Sequence, residues 1–141
     1  MNKFLYYPSL LMLSVMFFLV IYQNVTPFIP AKPITVNTQP FVVENKVLKP
    51  GDPIRFISDA CRHGSYQVVI FPVLKGEAIY NMTPQFFITM EGCSQLINAS
   101  IFIPLVAKPG TYYLEINNLI KVSSTKEVLL TTRTEEFTVI P

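Results

Sequence analysis

The sequence is poor in the residues on which most enzyme chemistry depends. It has no tryptophan, one histidine (His63), two cysteines and five glycines among 141 residues. The patterns G-x-S-x-G and H-E-x-x-H and the glycine-rich phosphate loop are missing. Any imidazole mechanism would have to use His63, which lies in a predicted turn. Asp52 and Asp59 fit turn chemistry better than a catalytic carboxylate pair, so we expect no catalytic residues and no cofactor.

Charged residues are also scarce, at 14% of the chain, and the formal net charge is only +2. A protein that binds duplex nucleic acid needs a basic stripe that displaces counterions from phosphates. Here the Lys and Arg residues lie scattered among Asp and Glu, so the sequence predicts no nucleic-acid partner. The sequence also has too few candidate ligands for a structural metal site. Cys61, His63 and Cys93 give three candidate ligands, whereas structural zinc sites use four.

The longest uncharged run lies near the N-terminus, where residues 4–31 contain no Asp, Glu, Lys or Arg. An apolar helix needs about 20 residues to cross the hydrocarbon core of a bilayer, and residues 4–23 meet that length. Tyr6 and Tyr22, near its two ends, suit the membrane–water interfaces. We predict a transmembrane anchor over residues 1–23, which contacts membrane lipid through residues 4–23.

A cleaved signal peptide is the main alternative to this anchor, and a buried core helix is a third interpretation. A signal peptide has an apolar core of about 7–15 residues and a small-residue cleavage site. No A-x-A-like pattern follows Tyr22. Orientation follows from the positive-inside bias. Lys3 precedes the helix and the next charge is Lys32, which predicts a cytoplasmic N-terminus and a periplasmic or extracellular remainder.

Residues 24–40 form a predicted linker that carries four prolines. Proline fixes φ and disfavours helix in the residue before it, so this stretch should be extended. It either lifts the following domain away from the membrane or contributes Ile34–Val36 as a first strand. The sequence leaves both possibilities open.

Residues 41–141 alternate between turn signals and short runs rich in β-branched and aromatic residues. No window there shows sustained helical periodicity. The pattern predicts an all-β domain of about eight strands, an antiparallel β-sandwich. The predicted strands cover residues 41–47, 54–60, 66–74, 78–80, 86–90, 96–105, 111–116 and 128–140, with a break at 133–136 left open in the last.

Three short motifs resemble immunoglobulin-like (Ig-like) and fibronectin-III-like sandwich domains. Leu48–Ile54 resembles the turn into strand B, Pro109–Leu114 the start of strand F, and Glu136–Ile140 the end of strand G. The chain departs from antibody domains in having no core tryptophan and no cysteine in the predicted strand F. The resemblance implies an Ig-like architecture over roughly residues 33–141. The chain is also similar to short phage and bacterial envelope proteins with one N-terminal membrane helix and one such domain, an association by analogy.

The same resemblance implies a pairing of the two cysteines. On this mapping Cys61 closes strand B and Cys93 opens strand E, and these strands are antiparallel neighbours. A Cys61–Cys93 disulfide fits the export that the anchor predicts. Two free thiols in a reducing compartment are the alternative. Tyr112 is expected to face the core or to hydrogen-bond the backbone at a strand corner.

Three aromatic residues are candidates for a contact patch. Phe71, Phe102 and Tyr113 are expected to project outward, and an exposed apolar patch marks a contact surface. A second layer or the linker could instead cover them. The sequence therefore predicts a membrane-anchored binding or structural module outside the cytoplasm that contacts an unknown protein. The alternatives are a subunit of a larger membrane assembly with the transmembrane helix as its interface, a secreted protein, and an envelope enzyme using His63.

Overall fold

The structure, a computed structural model, describes residues 3–25, 32–98 and 100–141. The chain divides into two compact units, Met1–Ala31 and Lys32–Pro141. The described part of the first unit is helix α1, Lys3–Val25. The described part of the second is built from eleven strands: β1 Ile34–Val36, β2 Val42–Val43, β3 Val47–Leu48, β4 Phe56–Arg62, β5 Gln67–Gly76, β6 Ile79–Asn81, β7 Gln85–Ile88, β8 Gly92–Asn98, β9 Gly110–Lys121, β10 Glu127–Arg133 and β11 Phe137–Val139.

Helix α1 includes residues 4–25 of the uncharged N-terminal run. The large apolar side chains of residues 10–22 are 40–75% exposed in the structure. The Ser14 hydroxyl donates to the carbonyl oxygen of Leu11 at 2.8 Å, so this polar group is bonded within the helix. Among the residues that the structure describes, no helix is both long enough and apolar enough to cross a membrane. This finding differs from the transmembrane helix that the sequence predicts.

Two sheets make up the second unit, and the predicted β-rich architecture is confirmed. In the four-stranded sheet, β4 pairs with β8 on one side and with β1 and β2 on the other. In the seven-stranded sheet, the long strands β9 and β5 pair at the centre. β10 and β11 flank β9, whereas β6 and β7 flank β5. β3 joins β11 as a parallel pair, and the other strand pairs are antiparallel. The arrangement is compatible with a β-sandwich.

Both sheets contribute side chains to one hydrophobic core. Alternation along β9 buries Tyr112, Leu114 and Ile116, because successive side chains of a strand point to opposite faces. From the other sheet, Phe56 of β4 enters the same core, and its ring stacks on Phe41 with centroids 5.7 Å apart. Each large apolar side chain buried in this way stabilises the fold by about 1.5–3 kcal/mol relative to exposure.

Gly76 permits a close approach of β5 to β9. It lies directly opposite Tyr112, and a Cβ atom at position 76 would overlap the carbonyl oxygen of Thr111 and the ring of Tyr112. A glycine is therefore required at the end of β5, where this strand pairs with the start of β9.

Several predicted strands have different bounds in the structure. The predicted strand 41–47 is two short strands, β2 and β3, in different sheets. The predicted strand 96–105 is wrong, because β8 runs from Gly92 to Asn98. Residues 101–103 instead bond to the turn before β4, where the Ile54 N–H donates to the Ile101 carbonyl at 2.7 Å. Ile34–Val36 of the predicted linker pairs with β4 as β1, the second of its two possibilities.

Candidate contact surface

The predicted disulfide is present. Cys61 in β4 and Cys93 in β8 lie directly opposite each other and are bonded, with their Cα atoms 4.0 Å apart. The bridge closes a loop with a sequence separation of 32 residues. On the chain-entropy estimate, such a loop stabilises the folded state by about 3–4 kcal/mol. Cys93 is exposed and Cys61 is half-buried, so the bond lies on the outward face of the smaller sheet.

The residues weighed for catalysis have structural partners. The Nε2 atom of His63 lies 3.0 Å from the Thr35 hydroxyl, and both residues are exposed. The Asp52 carboxylate accepts the Lys49 N–H at 2.8 Å and so closes the turn before β4. The Asp59 carboxylate accepts from the Asn37 side chain at 2.9 Å. Within the described residues, no cluster of three or more His, Cys, Asp or Glu side chains could hold a metal ion. The absence of enzyme activity stays a prediction.

Tyr112 forms the strand corner expected of it. Its ring is fully buried, and its hydroxyl donates to the Lys108 carbonyl four residues earlier at 3.0 Å. The hydroxyl of Tyr80 accepts the Lys108 N–H at 3.1 Å, so two tyrosines hold the chain just before β9. Burial raises the pKa of Tyr112 above its ordinary value, because the phenolate loses its hydration there. The corner is therefore a structural feature that fixes where β9 begins.

The three aromatic residues of the predicted contact patch occupy different places. Phe71 of β5 and Tyr113 of β9 share the outward face of the seven-stranded sheet, where Phe71 is 40% exposed and Tyr113 half-buried. The Lys75–Glu115 ion pair, with a 2.8 Å contact, lies between them. Phe102 lies instead beside the turn after β6, next to Met82 and Pro104. The structure thus does not join them in one patch, and their contact role stays a prediction.

A larger apolar feature crosses that same outward face. The pairing registers align one side chain from each of four adjacent strands, which we call the outer apolar row: Phe86 of β7, Val69 of β5, Leu119 of β9 and Leu129 of β10. The two end residues are 63% and 64% exposed, and Phe71 lies two residues along β5 from Val69. The sequence shows each residue, but only the registers show that the four align.

A second feature is the lack of charge between residues 78 and 107. Glu91 is the only charged residue in this stretch of thirty. The stretch includes β6, β7 and β8, and it supplies most of the exposed large apolar side chains outside α1: Ile79, Phe86, Phe87, Ile88, Met90, Leu96, Ile97, Phe102, Leu105 and Val106. Charge depletion with enrichment in aromatic residues and methionine is typical of the centre of a protein interface.

A cleft between the two sheets opens near this uncharged stretch. Its volume is about 130 Å³, and β4, β5, β8 and β9 line it together with shorter strands. Leu96 and Phe87, both partly exposed, lie at its edge. Arg62 donates to the Ser94 hydroxyl at 2.9 Å, and every buried polar side-chain atom of the described residues has a hydrogen-bond partner. The buried polar side chains that the structure describes are thus already hydrogen-bonded within the protein.

No protein-family model matches the sequence, and no curated protein matches it. The functional interpretation therefore depends on the geometry of the surface itself.

Proposed function

We propose that this protein is an Ig-like contact module, held at a membrane by residues 4–23 and exposed outside the cytoplasm, that binds another protein. The outer apolar row is the observation that carries the proposal. Four apolar side chains in line across one sheet face cost free energy when they face water, and contiguous exposed apolar surface on a small domain marks a contact site.

The pairing of the strands supports the Ig-like assignment. In Ig-like sandwiches strand B pairs with strand E and strand F lies between C and G, which matches β4 with β8 and β9 between β5 and the pair β10 and β11. The Tyr112 hydroxyl bond to the backbone upstream of β9 matches the corner tyrosine of that fold.

Two observations support the compartment. Disulfides persist where the surroundings are oxidising, and the Cys61–Cys93 bond lies on an outward face. The uncharged run of residues 4–31 and the exposed apolar side chains of α1 favour insertion into an apolar phase. A lipid bilayer supplies that phase. Lys3 precedes the helix and the next charge is Lys32, so the positive-inside bias favours a cytoplasmic N-terminus and a second unit outside the cytoplasm.

The membrane part of the proposal is tested by extraction of the full chain from the membranes of cells that produce it. We expect the chain to stay with membranes in carbonate and in high salt, and Leu13→Glu/Phe17→Glu to release it. Val42→Glu/Val47→Glu is the matched control, because it adds the same charges at exposed apolar positions outside the helix. A soluble mature protein beginning after residue 23 would show that the segment is a cleaved signal peptide.

The contact part is tested by photo-crosslinking from single positions in the full chain. A photoreactive residue at Phe86 or Leu129 is expected to give the same crosslinked protein, because both belong to the outer apolar row. Thr138, exposed on β11 of the same sheet, is the control position and is expected to give none. Equal products from all three positions, or different products from Phe86 and Leu129, would contradict a contact made through the row.

A further inference from the structure

We propose that two copies of this chain bind each other through the free edge of β8, with the two β8 strands antiparallel about a two-fold axis at Gln95. The four-stranded sheets of both copies then form one continuous sheet. The inference does not depend on the outer apolar row, which lies on the other sheet.

Strand β8 has a free edge. β8 pairs with β4 on one side only. The 4.0 Å distance between the Cα atoms of Cys61 and Cys93 is typical of a pair without ladder hydrogen bonds, so the neighbouring pairs carry those bonds. The backbone N–H and C=O groups of Cys93, Gln95 and Ile97 must then point away from β4. No other described residue bonds to these groups.

No residue of β8 protects this edge. Sheet edges are commonly blocked by charged residues, prolines or bulges that prevent a further strand from pairing. The strand Gly92–Asn98 contains no charged residue and no proline. Its Leu96 and Ile97 side chains are 44% and 64% exposed, so a strand that pairs here also covers apolar surface.

A β8 strand from a second copy is complementary to this edge. An axis at Gln95 places Gln95 opposite its own copy and Cys93 opposite Ile97 of the other copy. All the free groups of the edge are then used, in about six backbone hydrogen bonds. Leu96 of each copy comes to lie opposite Ser94 of the other, facing the mouth of the cleft between the sheets. The contact is isologous, as closed dimers require.

Charge complementarity favours the same antiparallel pairing of the two β8 strands. In the antiparallel pair, the Glu91 residues of the two copies lie at opposite ends of the joined strands, so they do not repel. Gly92 of one copy faces Asn98 of the other, and Asn98 pairs with Phe56. Glu91 precedes Gly92, and Arg55 precedes Phe56. Glu91 of one copy therefore comes to lie level with Arg55 of the other copy, at a distance of two strand spacings, or about 10 Å. Arg55 is exposed and forms no ion pair with the described residues.

The decisive variant is Gln95→Pro. The N–H at position 95 faces the free edge, so proline there blocks the second strand without removing a bond to β4. Gln95→Thr is the matched control, because it keeps the N–H. The measurement is the protein mass of the full chain in detergent, by light scattering after size exclusion at tens of micromolar. We expect a dimer for the native chain and Gln95→Thr, and a monomer for Gln95→Pro.

A monomeric native chain would overturn the proposal. A dimer that persists in Gln95→Pro would also overturn it, since the association would then run through α1 or another surface. Neither result would affect the proposed contact of the outer apolar row, which is read from a different crosslink. If Gln95→Pro loses its β-sheet circular dichroism, Gln95→Cys decides. A crosslink between two copies through residue 95, absent for Thr138→Cys, supports the two-fold axis, and its absence rejects the axis.

The register is tested by charge exchange. Arg55→Glu alone and Glu91→Arg alone are each expected to raise the dimer dissociation constant about three- to tenfold, the size of exposed ion-pair effects counted at two symmetric sites. The double variant Arg55→Glu/Glu91→Arg is expected to restore the native constant. A double variant that is weaker than either single variant would reject this register.

Discussion

Strands β9 and β8 differ most in how far they are paired and buried within this small domain. β9 is paired along both sides and buries Tyr112, Leu114 and Ile116 in the core. β8 is paired along one side, and none of its side chains belongs to the core cluster. β8 is joined to β4 by its backbone ladder, by the Cys61–Cys93 bond and by side-chain hydrogen bonds such as that from Arg62 to Ser94. Packing in the core thus holds β9, whereas bonds to a single neighbouring strand hold β8.

The largest expected effect comes from truncating the packed strand. Leu114→Ala should lower the free energy of unfolding by about 2–5 kcal/mol, because Leu114 is fully buried and its removal leaves a cavity. Leu96→Ala removes the same atoms from β8, where the side chain is 44% exposed, and should cost less than about 1 kcal/mol. Denaturant unfolding of the full chain in detergent measures both. Similar losses for the two variants would contradict the contrast between the strands.

A loss of stability within the same range is expected from removing the covalent bond. Cys61→Ser/Cys93→Ser should destabilise the domain by about 3–4 kcal/mol on the chain-entropy estimate. Hydrogen exchange shows which strands lose stability when the bond is removed. In the double variant the backbone amides of β8 should exchange before those of β9, because β8 retains only one ladder. Uniform loss of protection in both strands would show that the bond stabilises the domain as a whole.

The smallest of the three effects is electrostatic. The hydrogen bond from Lys75 lowers the pKa of Glu115 on β9 below its ordinary value. The stability that follows is present above the ordinary pKa of 4.5 and is lost as the pH falls through the lower folded pKa. Glu115→Gln should therefore flatten the acid limb of the melting temperature against pH by a few degrees at most. Glu127→Gln, which removes an exposed carboxylate from β10 of the same sheet, is the control variant.

The sequence predicts those parts of the fold that depend on local chemistry. The apolar alternation of 112, 114 and 116 locates β9, and the Pro109-Gly110 turn locates its beginning. The predicted strand 96–105 is wrong because Ile97 and Ile101 look in the sequence like members of one alternating face. In the structure Ile97 is exposed, whereas Ile101 is buried and bonds to Ile54 in the segment before β4. Alternation alone cannot show where a chain leaves one sheet, because that depends on which residues it bonds to.

The outer apolar row is harder to predict than the disulfide, for a related reason. The cysteine pairing follows from the order of strands in a known architecture, and two residues suffice to define it. The outer apolar row requires three pairing registers to be known at once, and a shift of one residue in any of them turns a side chain to the other face. Phe71 is a candidate contact residue from the sequence alone because it is a large aromatic residue. Leu119 and Leu129 become significant only beside Val69 and Phe86.

The parallel pair of β3 and β11 has a consequence for the time at which the domain folds. It joins Val47 to Thr138, residues separated by about ninety positions, and contacts of such long range are the slow ones in folding. Among the described strands, β3 pairs only with β11, so it stays unpaired until residues 137–139 have been synthesised. The parallel pair at this edge of the larger sheet is therefore expected to form last.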